Sequence, residues 1–213
     1  MLDVNWTGPR PPRNTIERVW SSATFETVDP DTESVEAYVD AMAETRTQGD
    51  ARWCCVEIPD SPVLDWFAGR NCLADADFFA NLLGSEPVAA ALGLDPDDPA
   101  PTFTTETALS LDGVLAEQLV HGGSTSFGDT IDQQYGTFAS AKNLAEACRH
   151  DIVEDRYEEV TVHRTREPWA DWFGEPHWNV TLVAVDRRYR WAWVFVATDE
   201  GLVESARQQA ASL

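Results

Sequence analysis

Apolar and polar positions change period several times along this chain, and each change marks an element. Val35, Tyr38, Val39 and Met42 recur at helical spacing. Asp31 or Thr32 is placed to cap that helix, Glu33 and Glu36 favour its positive end, and Gly49 is the expected stop. A short helix is expected after Asn14 and a strand near 23–28. Trp53–Ile58 reads as a buried strand ended by Pro59. Residues 60–94 read as helical without a wide polar gap. Within them Phe78, Phe79, Leu82 and Leu83 form a stripe ending at Gly84, and Ser85, Pro87 and Gly93 bracket a further short helix.

Past a stiff acidic loop at 95–101, the β-branched stretch Thr102–Leu111 predicts a strand. Asp112-Gly113 fits either a hairpin turn or the start of a helix running to His121, with Gly122 as its stop. Ala141, Leu144, Ala145, Cys148 and Ile152 mark the clearest helix. Strands follow at Glu159–Arg164, Trp178–Val185 and Tyr189–Ala197, the last two joined through Asp186-Arg187-Arg188. In the last strand Trp191, Trp193 and Phe195 share one face and Ala192, Val194 and Val196 the other. Both faces are apolar, which places this strand centrally, covered on both sides. A final helix is expected over 201–213, capped by Asp199.

Helices interleaved with antiparallel strands give an α+β fold: a central antiparallel sheet of about 4–6 strands with helices packed on it. Residues 1–13, with Pro9, Pro11 and Pro12 around Gly8, form an extended arm, and 14–213 a single domain. The loop at 95–101 is the candidate internal boundary.

Charge changes the picture more than any motif. Asp and Glu number 37 against 15 Lys and Arg, a formal net charge of −22 on 213 residues. Such a surface opposes nucleic acid, whose phosphates need cations, and anionic membranes for the same reason. It attracts a basic protein or another cationic ligand. A salt-rich cytoplasm would select the same surface without any partner. No apolar run is long enough to span a membrane, and the start lacks the basic and apolar regions of a signal peptide, so a cytoplasmic location is expected.

The four cysteines add little chemistry. Cys54 and Cys55 are neighbours in a strand and point to opposite faces, Cys148 lies on a helix stripe, and no C-x-x-C pair occurs; buried free thiols are expected. Metal-ligand spacing, phosphate loops and nucleophile elbows are absent from the sequence, so neither a metal nor a cofactor is expected.

One constellation stands out. Residues 163–178 carry Trp169, Trp172 and Trp178 with His163, His177, Arg164, Arg166, Glu167, Asp171 and Glu175 between two strands. Connections on a rigid sheet are where binding and catalysis concentrate, and Trp and Arg are the residues of interface hot spots. The candidate binding residues are Arg164, Arg166, Trp169, Asp171, Trp172 and His177. The candidate acid–base residues are Asp171, Glu175 and His177. The competing reading is a folded-back aromatic plug at one end of the sheet. Two function classes follow: an acidic interaction protein that binds a basic partner, as an immunity protein or antitoxin does, or a small enzyme with a pocket between loop 163–178 and the Gly-rich loop 121–136.

Overall fold

A computed structural model of the chain describes residues 7–30, 32–95, 100–125, 137–174 and 177–199. Their strands are β1 (Glu26–Val28), β2 (Asp50–Glu57), β3 (Thr104–Thr107), β4 (Val160–Thr165), β5 (Val180–Asp186) and β6 (Trp191–Thr198). They form one antiparallel sheet in the order β1-β2-β6-β5-β4-β3. The helices are α1 (Arg13–Trp20), α2 (Glu33–Glu44), α3 (Pro62–Ala68), α4 (Phe78–Leu83), α5 (Glu86–Leu92), α6 (Leu111–His121) and α7 (Thr137–Val153). The result is an α+β single domain.

Alternation along β6 decides the layering. Trp193, Phe195 and Ala197 join a core with α2, α6 and α7, through Tyr38, Met42, Leu115, Leu119, Ala145 and Ile152. Ala192, Val194 and Val196 join a second core with α1, α3, α4 and α5, through Ile16, Phe67, Phe78, Leu82 and Leu92. Side chains on a strand point alternately to opposite faces, so a strand apolar on both faces must lie between two helical layers. The adjacent cysteines obey the same rule: Cys55 packs in the first core and Cys54 in the second. Burial pushes the Cys54 thiol up to about 12.

Turn chemistry closes the hairpin between β5 and β6. Asp186 is buried, and its Oδ1 accepts the amides of Arg188 and Tyr189 at 2.8 and 3.1 Å. Its Oδ2 accepts from Nε and Nη2 of Arg156 at 3.1 and 2.8 Å. This carboxylate therefore shapes the turn and fastens it to the end of α7.

Several boundaries differ from the sequence reading. The strand expected over Thr102–Leu111 is confined to 104–107. The Thr107 hydroxyl accepts the Leu109 amide at 2.9 Å, the chain makes a single 3-10 turn, and Asp112-Gly113 lies inside α6. α2 ends at Glu44, not at Gly49. Gly49 has a different reason to be glycine: an added Cβ would stand 1.9 Å from the Thr198 carbonyl oxygen. The stop after α5 is as expected, with Gly93 left-handed at φ +62°. In the arm, the Gly8 carbonyl accepts the Trp66 indole N–H at 3.0 Å, and Arg10 pairs with Asp75 at 3.1 Å. The helix expected over 201–213 and the residues 96–99 of the acidic loop lie outside the described residues.

Candidate functional site

The Trp-rich connection is shorter than its sequence suggested, because β4 takes residues 160–165. His163 and Arg164 are therefore strand residues on opposite faces. His163 is 2% exposed, 4.8 Å from the Phe79 ring, with its nitrogens against the Thr105 and Thr161 hydroxyls. Burial lowers its pKa from 6.5 to about 4, which keeps the ring neutral. Arg164, on the other face, is held by Glu106 at 2.9 Å and Glu117 at 3.2 Å.

Residues 166–174 and 177–179 make the connection itself. Trp169 is 1% exposed; its indole N–H donates to the Thr181 hydroxyl at 2.8 Å and its ring packs on Phe173 at 5.3 Å. Trp172 is half-buried, edge-on to Phe173 at 5.2 Å and covered by the Arg52 guanidinium at 4.8 Å. A hydrogen-bonded relay then ties the return to the end of β6. The Gly174 amide donates to the Thr198 hydroxyl at 2.8 Å, that hydroxyl donates to Asn179 Oδ1 at 2.7 Å, and Asn179 Nδ2 donates to the Gly174 carbonyl at 3.0 Å. Glu167 accepts the Thr102 amide at 2.9 Å, which pins the segment leading into β3. This part of the connection is built as a plug.

Its outer side carries the rest. Arg166, Asp171 and His177 are exposed. No hydrogen bond or ion pair joins Asp171 to His177 among the described residues, and Glu175 lies outside them. In the Gly-rich loop the described residues 122–125 fold onto the end of α2. The Thr125 amide donates to the Thr45 carbonyl at 3.0 Å, and the Thr47 hydroxyl meets those of Ser124 and Thr125 at 3.0 and 2.6 Å. Residues 126–136 of that loop lie outside the described set. Among the described residues, no group of three or more His, Cys, Asp or Glu gathers to hold a metal ion.

Two roomy concavities among the described residues lie at the other end of the sheet. One, of about 390 Å³, is lined by Val19, Ser22, Thr24, Glu26, Glu57, Ile58, Pro59, Asp60 and Ser61. A second, of about 300 Å³, lies across the 23–24 segment against Trp20, Phe25, Asn81 and Glu86. Neither is lined by a residue of 121–125 or 163–178. The first is the more telling. Glu26 and Glu57 are direct cross-strand partners on β1 and β2, both exposed. Like charges directly opposite on a sheet repel. Asp60 follows, its side chain 90% exposed, with only a long 3.5 Å contact to Arg190. Arg190 itself is committed to Asp65 at 2.7 Å and to the Ile58 and Pro59 carbonyls. Glu26, Glu57 and Asp60 thus stand among the residues lining this groove, although on their strands Glu26 and Glu57 share the face of Val28 and Cys55, opposite that of Ile58.

β2 connects the two places. Arg52, near its start, covers Trp172; Glu57, at its end, lines the groove. Five steps along the strand separate them, about 17 Å. The sequence reading missed Glu26, Glu57 and Asp60, since the repulsive pairing exists only once β1 and β2 are in register. Among the described residues no helix is long and apolar enough to cross a membrane. No family model, no curated protein and no solved structure matches the chain.

Proposed function

We propose that this protein is an acidic interaction protein of the cytoplasm, binding a basic protein in the manner of an immunity protein or antitoxin. The groove between α1 and the end of β2 is the seat of a cationic side chain of that partner. One observation carries the reading: the −22 charge is not balanced locally where it matters. Several cations of the fold are spent on structure. Arg13 pairs with Asp77, Arg52 with Asp50, Arg156 with Asp186, Arg164 with Glu106 and Lys142 with Asp112. Glu26, Glu57 and Asp60 are left exposed near one another at that end of the sheet. A lysine or arginine has the matching chemistry, an apolar stem with a charged head. Seating it there relieves the Glu26–Glu57 repulsion as well as gaining attraction.

An oligo-arginine peptide is a suitable probe, titrated by calorimetry against the wild-type protein and two charge-matched variants. Glu26→Gln/Glu57→Gln/Asp60→Asn removes the groove charges. Glu33→Gln/Glu36→Gln/Asp40→Asn removes the same charge from the exposed face of α2. Loss of affinity in the first and near-wild-type binding in the second is the expected result. Equal losses in both would mean that the peptide reads net charge and that the groove is no seat.

A further inference from the structure

A buried cation stands at the far end of the sheet, apart from the acidic groove. Arg46 follows the last turn of α2 and is 4% exposed. Its Nη1 donates to the Met42 carbonyl at 2.6 Å and to the Thr45 hydroxyl at 2.9 Å. Its Nε and Nη2 are shielded from solvent and have no hydrogen-bond partner. These two nitrogens form one edge of the guanidinium, the edge that receives two oxygens of a carboxylate or phosphate side-on. Burial lowers the Arg46 pKa from 12.5 to about 10, so the group remains a cation at neutral pH.

The same chain shows how such an edge looks when a structural carboxylate fills it. Arg156 turns Nε and Nη2 onto Asp186 Oδ2. Among the described residues no carboxylate hydrogen-bonds the corresponding edge of Arg46. Asp199 is near enough to favour the Arg46 charge. Its oxygens, however, receive backbone amides: Thr47 and Ser124 on Oδ2 at 3.2 and 2.9 Å, and Gln48 on Oδ1 at 3.1 Å. Buried charged donors left unpaired are costly, and a native structure that keeps them calls for a ligand or a role. The backbone beside the edge is glycine: a Cβ on Gly122 would stand 2.9 Å from Nη2, so any side chain there would crowd it.

We propose that the Nε–Nη2 edge of Arg46 is the recognition element of a small-oxyanion site, taking two oxygens of one carboxylate or phosphate group side-on. The edge is closed to solvent, so entry requires the 122–125 turn to move off Thr45. Two probes separate the sources of such a group: inorganic phosphate and acetate, each titrated into the full chain at constant ionic strength set with sodium chloride. A saturable, one-to-one binding heat with either probe is expected, weakened about tenfold or more in Arg46→Lys, which keeps the charge and loses the planar edge. Phosphate alone binding assigns a phosphate-bearing ligand, and acetate alone assigns a carboxylate. Should Arg46→Lys fail to fold, the Arg46 Nε–H resonance of the wild-type protein is the second readout, and it moves on titration if the edge is occupied. No saturable binding by either probe, binding unchanged in Arg46→Lys, or an unmoved Nε–H signal would each overturn the assignment.

Discussion

Two tryptophans three positions apart have different parts in the Trp-rich connection, and their variants should separate. Trp169 fills the second core and satisfies its indole N–H on Thr181 of β5. Removing a buried Trp costs roughly 3–5 kcal/mol. Trp172 is half-buried, and its ring face meets Arg52, a contact worth about 0.5–1 kcal/mol near the surface. Urea denaturation should therefore place Trp169→Ala well below the wild type and Trp172→Ala within about 2 kcal/mol of it. Equal losses would make both rings part of one plug. His163 supplies a pH signature of the same interior. Its folded pKa is lowered to about 4 from 6.5, so between those values the unfolded chain takes up a proton that the folded chain refuses. Stability is full above pH 6.5 and falls as pH drops from 6.5 toward 4, by up to about 3 kcal/mol from this ring. In His163→Leu the denaturation midpoint should lose that part of its acid dependence, whatever the variant's stability at pH 7.5. An unchanged slope would mean that the ring titrates with solvent.

At the level of elements, pattern was legible wherever burial is periodic. The two apolar faces of β6 in the sequence placed it centrally, and the sheet order puts it between β2 and β5. The stripe through Ala141, Ala145, Cys148 and Ile152 likewise lies buried on α7. Boundaries failed where hydrogen bonds or close approach override period. The Thr107 hydroxyl ends β3 early, and Gly49 is set by a carbonyl of β6 at the far end of the chain, not by the helix before it. The inward and outward sides of the candidate site were illegible for a related reason. A connection has no period to read, so nothing in the order Trp169, Asp171, Trp172 says which side chain turns inward. Pairings across strands are equally silent until register is known, which is how Glu26 opposite Glu57 escaped notice. That pair yields its own expectation. Replacing Glu57 with Gln removes a repulsion between direct cross-strand neighbours, and thermal melts should show a gain of roughly 0.2–1 kcal/mol. A stability loss would mean that the carboxylate is held by a cation in the folded protein, and the groove would not be vacant for a partner's side chain.

For the molecule as a whole, charge acts on folding and on binding with opposite signs, and that opposition can be measured. The excess of carboxylates repels itself, and the folded state concentrates that repulsion more than the unfolded chain does. Salt shortens the reach of exposed charges to about 10 Å at 0.1 M and about 3 Å at 1 M. The melting temperature should therefore climb steadily as sodium chloride rises through this range. In a chain of this size each kcal/mol of relieved repulsion is worth roughly 2–4 °C. The internal pairs that oppose this trend are weak or sheltered: Arg10–Asp75 and Arg13–Asp77 are exposed and contribute little, while Arg156–Asp186 is buried and poorly screened. Binding of a basic partner should move the other way, with affinity falling over the same salt range as attraction to Glu26, Glu57 and Asp60 is screened. Both trends in one buffer series would tie the acidity to recognition as well as to solubility. A rising melting temperature with salt-independent affinity would leave the charge as an adaptation to a salt-rich interior, with the partner held by some other surface. Tight binding to duplex DNA at moderate salt would contradict the electrostatic argument itself, since phosphate backbones need cationic neutralisation that a chain of net charge −22 does not supply.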